Sequence, residues 1–142
     1  MLMRKQRIVG AGFVVISTDL KKVLLLRKNG VVDLPKGSSS PGESYLETAK
    51  RETAEETGMV ILDSSIVGKK PYLSENLAFF VAVQSGKPRI LPNPTTGEIE
   101  HDWCGWVAWH IAIKEAPTYL RPALLHARAL TNVLVGGKDV DL

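Results

Sequence analysis

The sequence predicts an α/β (α+β) domain in which helices cover the faces of a mixed, partly antiparallel sheet. Three observations predict it. Strand-like segments come before, between and after the helical ones, which favours helices packed on a sheet. One helix carries both a start and a stop signal. The chain has 142 residues, 44% hydrophobic and 23% charged, which is enough for one core and unlike a disordered or fibrous sequence. Residues 1–142 therefore read as a single domain.

The elements follow in order. Residues 8–17 (IVGAGFVVIS) and 22–28 (KVLLLRK) read as two strands joined at Asp19-Leu20-Lys21. Residues 31–34 read as a short third strand, and 35–43 as a loop rich in glycine, serine and proline. Ser44 and Glu47 have the spacing of a capping box, with a Pro41-Gly42 turn just before them. Gly58 stands where the chain needs a left-handed residue to leave the helix. Leu46, Ala49, Thr53 and Thr57 recur at helical spacing and give the stripe that packs on the sheet. Residues 59–66, 76–83 and 103–109 read as further strands, and 119–135 as a C-terminal helix. On an alternating strand Trp106 faces opposite to Trp103 and Trp109, so only one face can line a pocket.

Composition also excludes some classes. The longest apolar run, residues 8–16, is nine residues with two glycines, too short to span a bilayer. The basic N-terminus has no small-residue cleavage site after it, so a soluble, cytoplasmic protein without a membrane partner is expected. The single cysteine, Cys104, cannot form an internal disulfide and reads as a small buried residue. A net charge of +3 suits an anionic ligand, but no nucleic-acid motif accompanies it, and nucleic acid is not the expected partner.

The chemistry lies in the first helix. With about 100° per residue counted from Leu46, Glu52, Glu55 and Glu56 fall at about 240°, 180° and 280°. The three carboxylates share an arc of about 100° beside the apolar stripe. Left alone, Glu52 and Glu56 repel by roughly 0.2–0.5 kcal/mol. A hard divalent cation turns that repulsion into coordination. An ordinary solvated acidic face would account for three glutamates, but not for the spacing around them. Gly37, Glu43, Arg51, Glu52, Glu55, Glu56 and Gly58 form a set of fixed positions that chance matches about once in 10⁸ trials at average residue abundances.

The stretch LPKGSSSPGESYLETAKRETAEETGM closely resembles the Nudix box, the signature of the Nudix hydrolase family. All seven fixed residues are present between Gly37 and Met59. Met59 fills one of the two hydrophobic positions, and Thr53 stands where the family usually has an aliphatic residue. The order of elements is similar to the Nudix α/β/α sandwich. The resemblance implies that Glu52, Glu55 and Glu56 hold Mg²⁺ or Mn²⁺, helped by a backbone carbonyl near Lys36-Gly37, with Gly37 as the candidate. It implies that Arg51 orients Glu52, that Glu43 ties the loop to the helix, and that Gly58 is structural. Catalysis would be positioning and charge stabilisation, without a protein nucleophile.

Downstream, Glu100-His101-Asp102-Trp103-Cys104-Gly105-Trp106 is similar to the asymmetric diadenosine tetraphosphate hydrolase branch. That likeness makes Glu100, with Glu98 second, a further metal ligand or general base. It makes His101 a phosphate contact or base, and Trp106 a substrate contact. Arg27 and Lys36, near the strand ends that lead into the box, are candidate phosphate contacts. The expected activity is Mg²⁺-dependent cleavage of phosphoanhydride bonds in nucleoside diphosphate derivatives, dinucleoside polyphosphates first. Diphosphoinositol polyphosphates, 8-oxo-dGTP and ADP-ribose are alternatives, as is a non-catalytic nucleotide sensor. A homodimer is a further expectation, because Nudix proteins often dimerise.

Overall fold

The computed structural model describes residues 7–135; residues 1–6, which hold most of the basic N-terminus discussed above, and residues 136–142 lie outside it. Seven strands and three helices follow in the order β1 (Gly10–Ile16), β2 (Lys22–Lys28), β3 (Val31–Asp33), β4 (Lys36–Ser38), α1 (Tyr45–Thr57), β5 (Ile66–Ser74), β6 (Leu77–Val83), β7 (Trp103–Ala108), α2 (Trp109–Glu115) and α3 (Arg121–Val135). The sheet runs β3-β2-β1-β6-β5, with β4 also paired to β1 and β7 to β2. The β1–β6 pair is parallel and the other pairs are antiparallel, so the sheet is mixed.

Both faces of the sheet are covered, and every residue of β1 is buried. Alternation along the strand sorts the side chains. Ala11, Phe13 and Val15 join Leu24 and Ala78 in the core under Ala49 of α1. Val14 and Ile16 join Val23 and Leu25 in the larger core under Leu124, Ala127 and Leu130 of α3. The result is the helix–sheet–helix sandwich.

The first helix begins and ends where its signals lie. Ser44 accepts the Glu47 N–H, the Glu47 side chain caps back, and Gly58 takes φ 73° to close the helix on the Ala54 carbonyl.

Four expectations are corrected. Residues 35–43 are not all loop, because Lys36–Ser38 pair with residues 10–12 of β1. Residues 59–66 form no strand up to Ile66. Their alternation is real, with Met59 and Ile61 buried and Val60 and Leu62 exposed. Their backbone is satisfied instead by the side chain of Gln84, whose Oε1 accepts the Leu62 N–H and whose Nε2 donates to the Val60 carbonyl. The strand expected over 103–109 stops at Ala108, and Trp109 opens α2, buried in the core with its indole N–H on the Leu20 carbonyl. The C-terminal helix starts at Arg121, two residues later than expected. Among the described residues, no helix is long and apolar enough to cross a membrane.

Thr53, the departure from the aliphatic pattern, is fully buried against the sheet and its hydroxyl has no hydrogen-bond partner. A buried unsatisfied hydroxyl costs about 1–3 kcal/mol, and valine has the same shape without it. Thr53→Val should therefore stabilise the protein by about 1 kcal/mol. Urea unfolding measures this, and an unchanged or lower midpoint refutes it.

Candidate active site

The acidic flank of α1 meets two other parts of the chain at one pocket, lined by Glu52, Glu55, Glu56, Ile90, Leu91, Asn93, Pro94, Glu100 and His101. Each side chain is brought there by an identifiable constraint.

Arg51 organises the helix side. Its Nε and Nη2 form a fork on Glu43 at 2.6 and 3.0 Å, and Nη2 also donates to the Ser38 carbonyl at 3.0 Å. Its Nη1 donates to Glu52 Oε1 at 2.9 Å and approaches Glu55 Oε2 at 3.3 Å. Glu43 in turn accepts the Ser40 N–H and the Thr48 hydroxyl, so the loop before α1 is tied to the helix. Those hydrogen bonds, the Arg51 one first, hold the Glu43 carboxyl down at about 2.

Glu52 lies across Gly37. A β-carbon at position 37 would stand 2.2 Å from Glu52 Cδ, so only glycine admits the carboxylate. The Gly37 carbonyl oxygen, named above as a candidate ligand, lies over Gly10, 2.3 Å from where a β-carbon of that residue would be. The missing side chain of Gly37 is what makes room for the Glu52 carboxylate.

Glu56 is the most enclosed of the carboxylates, with its side chain 8% exposed. Its Oε1 accepts the Lys36 N–H at 2.8 Å, and its Oε2 faces His101 Nδ1 at 3.4 Å. Burial pushes its pKa up to about 8, and burial also raises Glu52 from its ordinary value. Glu56, Glu100 and His101 each offer a donor atom within 4.8 Å of the others. Hard carboxylate oxygens, one of them enclosed and short of a compensating charge, suit a divalent cation such as Mg²⁺ or Mn²⁺.

The far side comes from the segment before β7. Asn93 Nδ2 donates to Glu100 Oε1 at 2.9 Å, while Asn93 Oδ1 accepts the N–H groups of Thr95 and Thr96. Glu98, the second candidate, does not line the pocket. His101 is held by Asp33, whose Oδ2 lies 3.0 Å from Nε2. Burial alone would raise Asp33, but His101 and Lys36 hold it below its ordinary value, and the Asp33 contact raises His101. His101 and Asp33 also wall a second, more apolar cleft of about 470 Å³, with Val31, Val32, Pro117 and Tyr119.

Three residues expected to contact substrate have protein partners or lie outside the acidic pocket. The Arg27 guanidinium pairs with Glu115 at 2.6 Å and lies 5.3 Å from the Trp103 ring, away from the pocket. The Lys36 ammonium binds Asp33 at 3.0 Å, and only the backbone N–H of Lys36 reaches a box glutamate. Trp106 packs at a separate pocket with Ser17, Lys22 and Gly86, its indole N–H on the Gly86 carbonyl. Asp33, Asn93 and Tyr119 are the residues that sequence reasoning missed. Asn93 was the detectable one, since Pro92-Asn93-Pro94 is a turn signal in which asparagine caps its own loop.

The family model described as NUDIX domain matches residues 6–127. The chain belongs to the Nudix family. A curated Bacillus subtilis (strain 168) protein described as "Putative 8-oxo-dGTP diphosphatase" is 32% identical over 90 residues, and the match spans 60% of this chain and 60% of that protein's length. Among solved structures, a C. elegans Ap4A hydrolase in a binary complex is similar at TM-score 0.65 and 22% identity, covering 89% of this chain and 98% of that one. The E. coli dihydroneopterin triphosphate pyrophosphohydrolase is similar at TM-score 0.66 and 18% identity, covering 88% and 97%. At these identities the structural likeness is one of fold. The Nudix family generally uses divalent metal, which agrees with the donor set of this pocket.

Two predictions follow from this geometry. Gly37→Ala forces the Glu52 carboxylate off its seat, and a displacement of about 1 Å costs turnover about 100-fold. Steady-state kinetics on a folded variant measures it, and unchanged kcat refutes it. The second concerns pH. Because the Glu56 pKa is raised in the folded protein, the stability this group contributes is present at low pH and lost as pH rises through about 8. A divalent cation competes with that proton. The rise in Tm on adding Mg²⁺ should therefore be larger at pH 8.5 than at pH 6. Equal rises by calorimetry would place Glu56 outside the binding set.

Proposed function

We propose that this protein is a Mg²⁺- or Mn²⁺-dependent hydrolase of phosphoanhydride bonds in nucleoside diphosphate derivatives, with a dinucleoside polyphosphate as its first candidate substrate. The observation that carries this reading is that His101 lines both a carboxylate-lined pocket and a more apolar cleft. A polyphosphate against the first and a nucleoside in the second matches one substrate to both. The cleft volume is in the range that holds small ligands, and the Tyr119 ring offers a base a face to stack on.

Glu52, Glu55, Glu56 and Glu100 are the residues that would hold the cation. When bound, it neutralises phosphate charge and makes water a better nucleophile. The protein's own groups supply position. Arg51 fixes Glu52 and Glu55 along the helix, Lys36 N–H fixes one oxygen of Glu56, and Asn93 fixes Glu100. Ile90, Leu91 and Pro94 line the same pocket and limit water around the reacting bond. The one thiol, Cys104, is pushed up by burial and so is poorly suited to be a nucleophile.

8-oxo-dGTP is the second reading of the substrate, and the Bacillus relative favours it. The dinucleoside reading rests on Glu100-His101, which lie in the pocket, and loses the support of Trp106, which does not.

The test is a panel of diadenosine tetraphosphate, 8-oxo-dGTP, ADP-ribose and a diphosphoinositol polyphosphate, assayed with Mg²⁺ and with product identification. Turnover of diadenosine tetraphosphate or 8-oxo-dGTP is expected. Glu56→Gln should lower it about 100-fold or more. Tight nucleotide binding without turnover, unchanged in Glu56→Gln, would make the protein a sensor instead.

A further inference from the structure

We propose that His101 is itself a ligand of the divalent cation through Nδ1, with Asp33 as the positioning residue that aims it, so that this Nudix centre is of mixed nitrogen and oxygen character. The inference rests on the metal-dependent reading and adds to it a ligand from outside the box.

The geometry is that of the carboxylate–histidine half of a carboxylate–histidine–metal arrangement. His101 is one-tenth exposed, so its ring is not free to choose partners in water. Asp33 Oδ2 takes Nε2 at 3.0 Å. Asp33 is itself pinned, with Oδ1 accepting the Leu34 N–H at 2.9 Å and the Lys36 ammonium at 3.0 Å. An anchored anion on Nε2 selects the tautomer that carries its proton there and leaves the lone pair on Nδ1. Nδ1 lies 3.4 Å from Glu56 Oε2, with Glu100 completing a set of donors within 4.8 Å. No protein hydrogen bond to Nδ1 is present among the described residues, although the side chain is nine-tenths buried and lines the acidic pocket. A cation shared by Nδ1, Glu56 and Glu100 satisfies all three at once.

Chemistry then sets a preference. Mg²⁺ binds imidazole reluctantly and favours oxygen, whereas Mn²⁺ accepts both. A nitrogen in the set should move this protein toward Mn²⁺ relative to an all-carboxylate centre. It also gives Lys36 and Asp33 a purpose that contact with phosphate does not, since each is committed to the next group inward.

The experiment uses the whole protein loaded with Mn²⁺ alone and read by electron spin echo envelope modulation. The wild type should show ¹⁴N modulation from a directly bound imidazole. His101→Ala should lose it while still binding Mn²⁺ through the carboxylates, and the ratio of Mn²⁺ to Mg²⁺ affinity should fall. Asp33→Asn should weaken Mn²⁺ affinity about 10-fold or more by freeing the ring. His101→Gln serves as a second variant if the alanine form does not fold. Bound Mn²⁺ without nitrogen modulation in the wild type overturns the ligand assignment and leaves the hydrolase reading standing. Failure of the wild type to bind Mn²⁺ overturns both.

Discussion

The Arg51 guanidinium is the interaction on which the site depends. Four acidic side chains, Glu43, Glu52, Glu55 and Glu56, belong to one helix and the loop before it, and without a cation among them they would repel. Arg51 contacts three of the four and also the Ser38 carbonyl, so one planar group joins β4, the loop and α1. Lysine could not replace it, because a single ammonium lacks the separated donors that face different partners. The ends of the helix are held independently, by the Ser44 capping box and Gly58, which fix the phase in which the glutamates leave the helix. Local chain signals thus set the direction of the carboxylates, and one buried-edge cation sets their separation.

Glu56 differs from its neighbours in lying outside Arg51's reach. Its compensation comes from a backbone N–H and from His101, which is too little to offset burial and leaves its pKa near 8. Lys36, whose backbone N–H meets Glu56, has its ammonium on Asp33, so that cation is already taken. Arg51 thus offsets Glu52 and Glu55 and leaves Glu56, the most enclosed carboxylate, short of positive charge. Strain of this kind is ordinary at binding sites and would be costly in a purely structural core.

Legibility in the sequence followed the range of the forces involved. The first helix, with its caps and its acidic flank, is specified by contacts within five or so residues, and its reading needed nothing else. β4 escaped notice because Lys-Gly-Ser has no strand character of its own. It is a strand because β1 carries glycine at positions 10 and 12, where the carbonyls of Gly37 and Pro35 come in too close for a side chain. α2 escaped for the opposite reason, since its N-terminal Ala108 supplies no side-chain cap to announce it. Residues 59–66 alternated like a strand, and the deciding factor was Gln84, more than twenty residues away, which took the hydrogen bonds a neighbouring strand would have made. The ion pairs of Arg27 and Lys36 were not legible, because the sequence shows a charge but not the partner beside it. Asp33 was overlooked because a carboxylate at the end of a short strand has no pattern until His101 arrives beside it.

What brings His101 there is the register of β2. On one edge Leu26 pairs with Asp33, and on the other it pairs with Cys104. The ladder is extended past the strand ends by the Asp102 N–H on the Arg27 carbonyl and the Asn29 N–H on the Asp102 carboxylate. β2 therefore works as a ruler that sets Asp33 and the start of β7 at the same height, although 68 residues separate Asp33 from His101. Strand side chains alternate, so a slip of one residue on either edge would turn Asp33 away from the ring or carry His101 off the pocket. The acidic helix needs only its own sequence to form, but its fourth and fifth groups, Glu100 and His101, are delivered by the sheet. The box is thus a local device, and the site is a property of the whole fold.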